Sequence, residues 1–229
     1  MIAYAIQANR QQDGDDFNRY ALPGLNRAQK PNDEATIVMG TSIHQGYNHA
    51  REWAMGRRGV EALVLLHADA EILDEHFGQR LRLLLKKDPD IAVVGVAGAS
   101  RCRNLSWWDE RGGAIGSWEE KGLLGGCYHQ EGEPFTFHTE GDHQAAVVDG
   151  VVLALSPWAI HHLRFDEKTY AMAPWYAYDC DISLAARRAG KKVFVMDTRV
   201  RHHTKGGIHN QKAFWDANLA FQRKWGLSE

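Results

Sequence analysis

The chain lacks an apolar run near the ~20 residues that a helix needs to cross a bilayer, has little cysteine, and carries no excess of charge of either sign. The first absence argues against a transmembrane segment and leaves peripheral contact with a membrane open, since that needs only a surface patch. The three cysteines, Cys102, Cys127 and Cys180, lie far apart and form no CxxC pair. That weighs against a disulfide framework and a zinc ribbon, and favours reduced thiols in a cytoplasmic protein. Basic and acidic side chains number 27 and 29, so there is no basic excess of the kind a nucleic-acid binder shows. No HExxH occurs, which counts against a zinc hydrolase. Met1–Gln7 lacks the basic flank and the apolar length of a signal peptide and reads as a first strand. Neither a repeat nor a composition break divides the 229 residues, so one α/β domain spanning 1–229 is expected.

What is present is a set of short apolar runs alternating with amphipathic stretches. Ala35–Met39, Leu63–Leu66 and Ile91–Ala97 read as strands, the second and third of them buried on both faces. Gly46–Arg57 reads as a helix, and so does a stretch capped by Asp74 with Phe77, Leu81, Leu84 and Leu85 on one face. Gln11–Asp33 reads as irregular, with turn signals at Asp13-Gly14 and Leu22-Pro23-Gly24. Ser100–Gly141 is long, rich in glycine and aromatics, and reads as an irregular functional stretch. Gln144–Leu155 returns to β character. Ser156-Pro157 opens a short helix, and a helix over Tyr178–Ala189 ends at Gly190. Lys192–Met196 reads as a strand, Arg201–Gly207 as a polar loop, and Phe214, Ala217, Phe221 and Trp225 line a last helix. The alternation implies a mostly parallel, Rossmann-like central sheet flanked by helices.

Polar residues cluster at the ends of these elements. The run Leu63–Leu66 stops at His67, and ligand sites in open α/β sheets lie where such strands end. His67 and Asp69 then project to one side, where an imidazole nitrogen and a carboxylate can share a divalent cation; alternatively Asp69 merely caps the next segment. Asp149-Gly150 reads as a hairpin turn or as a sugar-hydroxyl acceptor. Asp179 and Asp181 fall in the first turn of a helix, where carboxylates are favoured by the dipole. A general base there needs burial or a neighbouring carboxylate to offset the dipole. One of His202 and His203, with Asp69, completes a mixed site suited to manganese or a similar ion. Lys205 with Gly206-Gly207 offers charge and close backbone approach to a phosphate. Among eight tryptophans, some are core and others are candidate stacking platforms.

In chain order these clusters resemble the GT-A glycosyltransferases, in particular family 2 and its glycosyltransferase-like relatives. The resemblance runs through Tyr47-Asn48-His49-Ala50, Leu65-Leu66-His67-Ala68-Asp69, Val93–Gly98, Trp107-Trp108 and Val148-Asp149-Gly150. It continues through Phe165-Asp166-Glu167, Tyr178–Leu184 with Arg187, Ala189 and Gly190, and ends at His202-His203 and Lys224-Trp225. It implies a GT-A fold and inverting transfer of a sugar from a nucleotide-sugar donor to an acceptor hydroxyl, of a glycan, a lipid-linked molecule or a small molecule. Asp69 is then the DxD carboxylate on a divalent metal (manganese or magnesium), Asp149 lines the sugar or acceptor site, and Asp179 is the base. His202 or His203 is the late metal ligand. Two positions depart from the pattern: His67 stands for the first Asp of DxD, and Tyr178 for the Glu of Glu-Asp. Those departures keep open a degenerate nucleotide-sugar-binding protein of the same fold. A sugar nucleotidyltransferase ranks lower, because Ala8-Asn9-Arg10-Gln11-Gln12 has no glycine-rich loop after the first strand. Glycine and tryptophan in Ser100–Gly141 motivate a lid over the donor.

Overall fold

The computed structural model describes residues 1–8, 11–108, 122–125, 127–130, 136–137, 139–203 and 212–227. In chain order the strands are β1 (Ile2–Gln7), β2 (Glu34–Val38), β3 (Ala62–His67), β4 (Ala70–Ile72), β5 (Ile91–Gly95), β6 (Ala97–Ala99), β7 (Leu123–Gly125), β8 (Cys127–Gln130), β9 (Thr136–Phe137), β10 (His143–Ala145), β11 (Val147–Val148), β12 (Val152–Leu155), β13 (Lys192–Val195) and β14 (Arg199–His202). The helices are α1 (Gln11–Asp16), α2 (Leu22–Ala28), α3 (Ile43–Met55), α4 (Phe77–Lys87), α5 (Pro157–His162), α6 (Tyr178–Arg188) and α7 (Lys212–Trp225).

Among the described residues the central sheet has the order β10-β13-β5-β12-β3-β1-β2. β2, β1 and β3 run parallel, as do β13 and β5, whereas β12 lies antiparallel between β3 and β5 and β10 antiparallel to β13. Strand alternation splits the core in two. Ile2, Tyr4, Ile6, Val64 and Leu66 face α4, α7 and the α1–α2 segment. Ala3, Ala5, Leu63 and Leu65 face α3, α5 and α6. Burial on both faces explains why Leu63–Leu66 reads as unbroken apolar sequence, and why the run ends abruptly where β3 leaves the core at His67.

Several expectations need correction. Gln11–Ala28 is helical rather than irregular: α1 passes through a π-helical turn, Phe17–Ala21, into α2. Pro23 falls in the first turn of α2, directly after the π-helical turn. Gly24 is there because a Cβ would lie 2.6 Å from the Ile72 nitrogen. Ile91–Ala97 is two strands, with Gly98 inside β6; a Cβ on Gly98 would sit 2.2 Å from the Val147 carbonyl oxygen. His76, not Asp74, holds the N-cap position of α4; the Asp74 carboxylate accepts the His76 N–H and the Thr198 hydroxyl. Asp149-Gly150 is no hairpin turn, because β11 pairs with β6 while β12 pairs with β3 and β5. Arg201 and His202 belong to β14, which pairs with β4 and β8. Ser156 caps α5 as expected, its hydroxyl accepting the Ala159 N–H. Ser100–Gly141, the expected lid, contains β7, β8 and β9, and its residues 109–121, 126, 131–135 and 138 lie outside the described residues.

Candidate active site

The ends of β1 and β3, the link from β11 to β12 and the start of α6 converge on a cleft of about 540 Å³. β3 and β1 are in register at His67 and Gln7, which places both residues on its floor. Asp69 follows His67 by two residues. β14 brings His202 opposite Ala70, next to Asp69. His202 Nε2 lies 3.3 Å and His67 Nδ1 3.9 Å from Asp69 Oδ1. One donor atom from each of His67, Asp69 and His202 fits within 4.8 Å, so the three can hold a metal ion. Burial holds His67 below the usual imidazole range, against the pull of Asp69. Burial alone would raise the Asp69 carboxyl, but the hydrogen bond and charge of His202, with the charge of His67, outweigh it and hold it well below the carboxylate range.

His203 faces elsewhere. Its Nε2 lies 3.0 Å from Glu71 Oε2, its ring stacks on Tyr20 at 3.7 Å, and its N–H donates to the Asp69 carbonyl. It supports Asp69 from outside the cleft.

Asp179 opens α6 from a strained start: Ala177, the N-cap residue, has φ of 69°, rare for a residue with a Cβ. Asp179 Oδ2 accepts the Gly150 N–H at 3.0 Å and Oδ1 its neighbour's N–H, that of Cys180, at 2.8 Å. Both bonds favour the carboxylate. Burial and the charge of Asp149 prevail over them and push the Asp179 carboxyl up to about 7. Asp149 itself accepts the Val151 N–H at 2.8 Å and lines the cleft. Gly150 is required by Tyr178, since a Cβ there would lie 2.1 Å from the tyrosine oxygen. Asp181 points away from the cleft. It is held by the Tyr170 hydroxyl, Lys224 Nζ and Trp225 Nε1, all within 2.9 Å, and ties α6 to α7. The neighbour that perturbs Asp179 is therefore Asp149, not Asp181.

Trp107 and Trp108 both line the cleft, their rings edge-to-face at 5.4 Å; Trp107 is buried and Trp108 half-buried. Lys205 lies outside the described residues. Residues that the sequence did not mark as site candidates also contribute: Asp13 and Asp16 from α1, Gln7 and the exposed Trp175, together with Tyr47 from the motif at the start of the resemblance. The i, i+3 spacing of Asp13 and Asp16 was the available signal, masked by their resemblance to a turn. Among the described cleft residues are five aspartates, Asp13, Asp16, Asp69, Asp149 and Asp179, and no lysine or arginine.

A family model described as a glycosyltransferase-like family matches residues 25–222. The chain belongs to this family. It is a glycosyltransferase domain with a GT-A-type fold. The solved structure of GalNAc-T7 with UDP, GalNAc and Mn2+ is similar at a TM-score of 0.56 and 11% identity, over 94% of this chain and 45% of that one. The chain thus spans under half the length of that relative. A197 from STIV is similar at a TM-score of 0.50 and 11% identity, over 89% of this chain and 86% of that one. At such identity these two likenesses speak for the fold alone. No curated protein sequence matches the chain. No helix among the described residues is long and apolar enough to cross a membrane.

Proposed function

We propose that this glycosyltransferase transfers a sugar from a nucleotide-diphosphate sugar to an acceptor hydroxyl with inversion, using Asp179 as the base and a divalent cation at His67, Asp69 and His202. The observation that carries the reading is the placement, in one cleft, of a carboxyl group raised to about 7 and a cluster able to hold a metal. A general base works best with a pKa near the operating pH.

The charge of the cleft supports a cation. Five aspartates with no lysine or arginine among the described lining would repel a bare diphosphate. A cation held by the triad would bridge protein and diphosphate and neutralise the charge that grows on the leaving group. Asp179 accepts the acceptor hydroxyl's proton as that oxygen bonds to the anomeric carbon. The bond from that carbon to the diphosphate oxygen breaks on the opposite face, and the nucleoside diphosphate leaves with the electron pair. The Gly150 and Cys180 N–H groups fix the Asp179 carboxylate during this step. Asp149 keeps it basic and would accept hydrogen bonds from sugar hydroxyls, while Trp108 and Trp175 would offer flat faces for a ring.

A thermal-shift screen of UDP-, GDP-, CMP- and dTDP-sugars, each with and without Mn2+, tests the donor half of this reading. A ligand of the folded state raises the melting temperature by mass action. The expected result is a shift for one nucleotide series that depends on the metal and disappears in Asp69→Ala. No shift with any of them contradicts the donor assignment.

A further inference from the structure

His67 has two ring nitrogens, and the structure gives them different neighbours. Nε2 lies 2.6 Å from the Tyr178 hydroxyl, and Nδ1 faces Asp69 Oδ1 at 3.9 Å. Hydrogen bonding at one imidazole nitrogen decides what the other can bind. Tyr178 and His67 are 111 residues apart and meet only because the start of α6 closes over the end of β3.

Tyr178 is itself held firmly. Its ring sits edge-on to Tyr47 at 5.5 Å and to His44 at 6.3 Å, and its oxygen lies where a side chain on Gly150 would be. The next residue, Asp179, takes the Gly150 N–H. Gly150 is thus gripped twice, by the tyrosine ring and by the carboxylate. One dipeptide supports both the His67 ring and the Asp179 carboxyl.

We propose that Tyr178 is a positioning residue for the cation site: its hydroxyl accepts the Nε2 hydrogen of His67, which fixes Nδ1 as the atom that meets the cation beside Asp69 and His202. The inference rests on the cation reading above and adds to it the binding atom and its support. Removing the hydroxyl while keeping the ring should weaken the cation site and leave the packing around Gly150 in place.

The test is a cycle of four proteins: wild type, Tyr178→Phe, His67→Asp and the double variant. Each is titrated with Mn2+ alone by calorimetry, and the metal-free melting temperature is recorded. The expected Mn2+ affinity of Tyr178→Phe is about 10–100-fold below wild type, the usual loss when a ligand's outer partner is removed. In the His67→Asp background the ligand has no second nitrogen to orient, so adding Tyr178→Phe should change Mn2+ affinity little. Equal affinity in wild type and Tyr178→Phe overturns the positioning role alone. An equal loss in the His67→Asp background also overturns it, as a structural effect. No Mn2+ binding by wild type removes the cation reading and this inference with it. A second readout needs no variant: in the Zn2+-loaded wild type, 15N spectra of the histidines should show His67 bound through Nδ1. Binding through Nε2 overturns the proposal.

Discussion

Raising the Asp179 carboxyl from its ordinary 3.8 to about 7 has consequences for both rate and stability. As a base, Asp179 must be ionised, so kcat/KM should rise with pH through a midpoint near 7 and then level off. One unit below the midpoint it should stand at about a tenth of the plateau. Replacing Asp149 by Asn removes the like charge and should move this limb to lower pH. The stability effect has the opposite slope. Between pH 4 and 7 the folded protein keeps a proton that the unfolded chain has lost, so stability falls as pH rises through that window and is constant above it. The shift corresponds to an upper bound of about 4 kcal/mol. Asp179→Asn removes this burden. It also leaves one of the Gly150 and Cys180 N–H groups without its acceptor, which offsets about 1 kcal/mol. The variant should therefore be more stable than wild type at pH 8 and not at pH 4. Urea denaturation at pH 4, 6 and 8, beside a pH–rate profile, measures both effects. A flat profile from pH 5 to 8, or a variant no more stable at pH 8 than at pH 4 relative to wild type, refutes the reasoning.

Other outcomes follow from the same geometry. His202→Ala should abolish Mn2+ binding measured by calorimetry, whereas His203→Ala should keep most of it and lose about 1 kcal/mol of stability with its Glu71 and Tyr20 contacts. Gly150→Ala drives a methyl into the Tyr178 oxygen and should cost about 1–3 kcal/mol by denaturation. Asp181→Ala removes the acceptor shared by Lys224, Trp225 and Tyr170, of which Lys224 keeps Asp166 at 2.8 Å. It should cost about 1–3 kcal/mol while the pH limb of the surviving activity stays in place.

The strands β1, β3 and β5 were legible as short unbroken apolar runs, because they are buried on both faces, and the helices α3, α4, α6 and α7 because burial of one face imposes a period on their residues. The α1–α2 segment was not, since Asp13-Gly14 and Leu22-Pro23-Gly24 have the composition of turns; Pro23 instead follows a π-helical turn, and Gly24 meets the close backbone of Ile72. β14 was missed because Val200 is its one apolar residue and it pairs in a small sheet separate from the central one. Asp69, Asp149 and Asp179 stood out at element ends. Choosing between His202 and His203 needed the register of β14 on β4, which no local pattern carries. The contact between His67 and Tyr178 joins the two positions that the sequence resemblance marked as departures. Each looked like a loss when taken alone, and only the fold shows that they are partners.

If Asp179 takes the acceptor's proton, transfer should fall by about 10²–10⁴-fold in Asp179→Asn while donor binding is kept. Transfer by wild type and Asp179→Asn, with nucleotide-sugar binding followed in the same samples, measures this. Full transfer by Asp179→Asn would show that Asp179 is not the base.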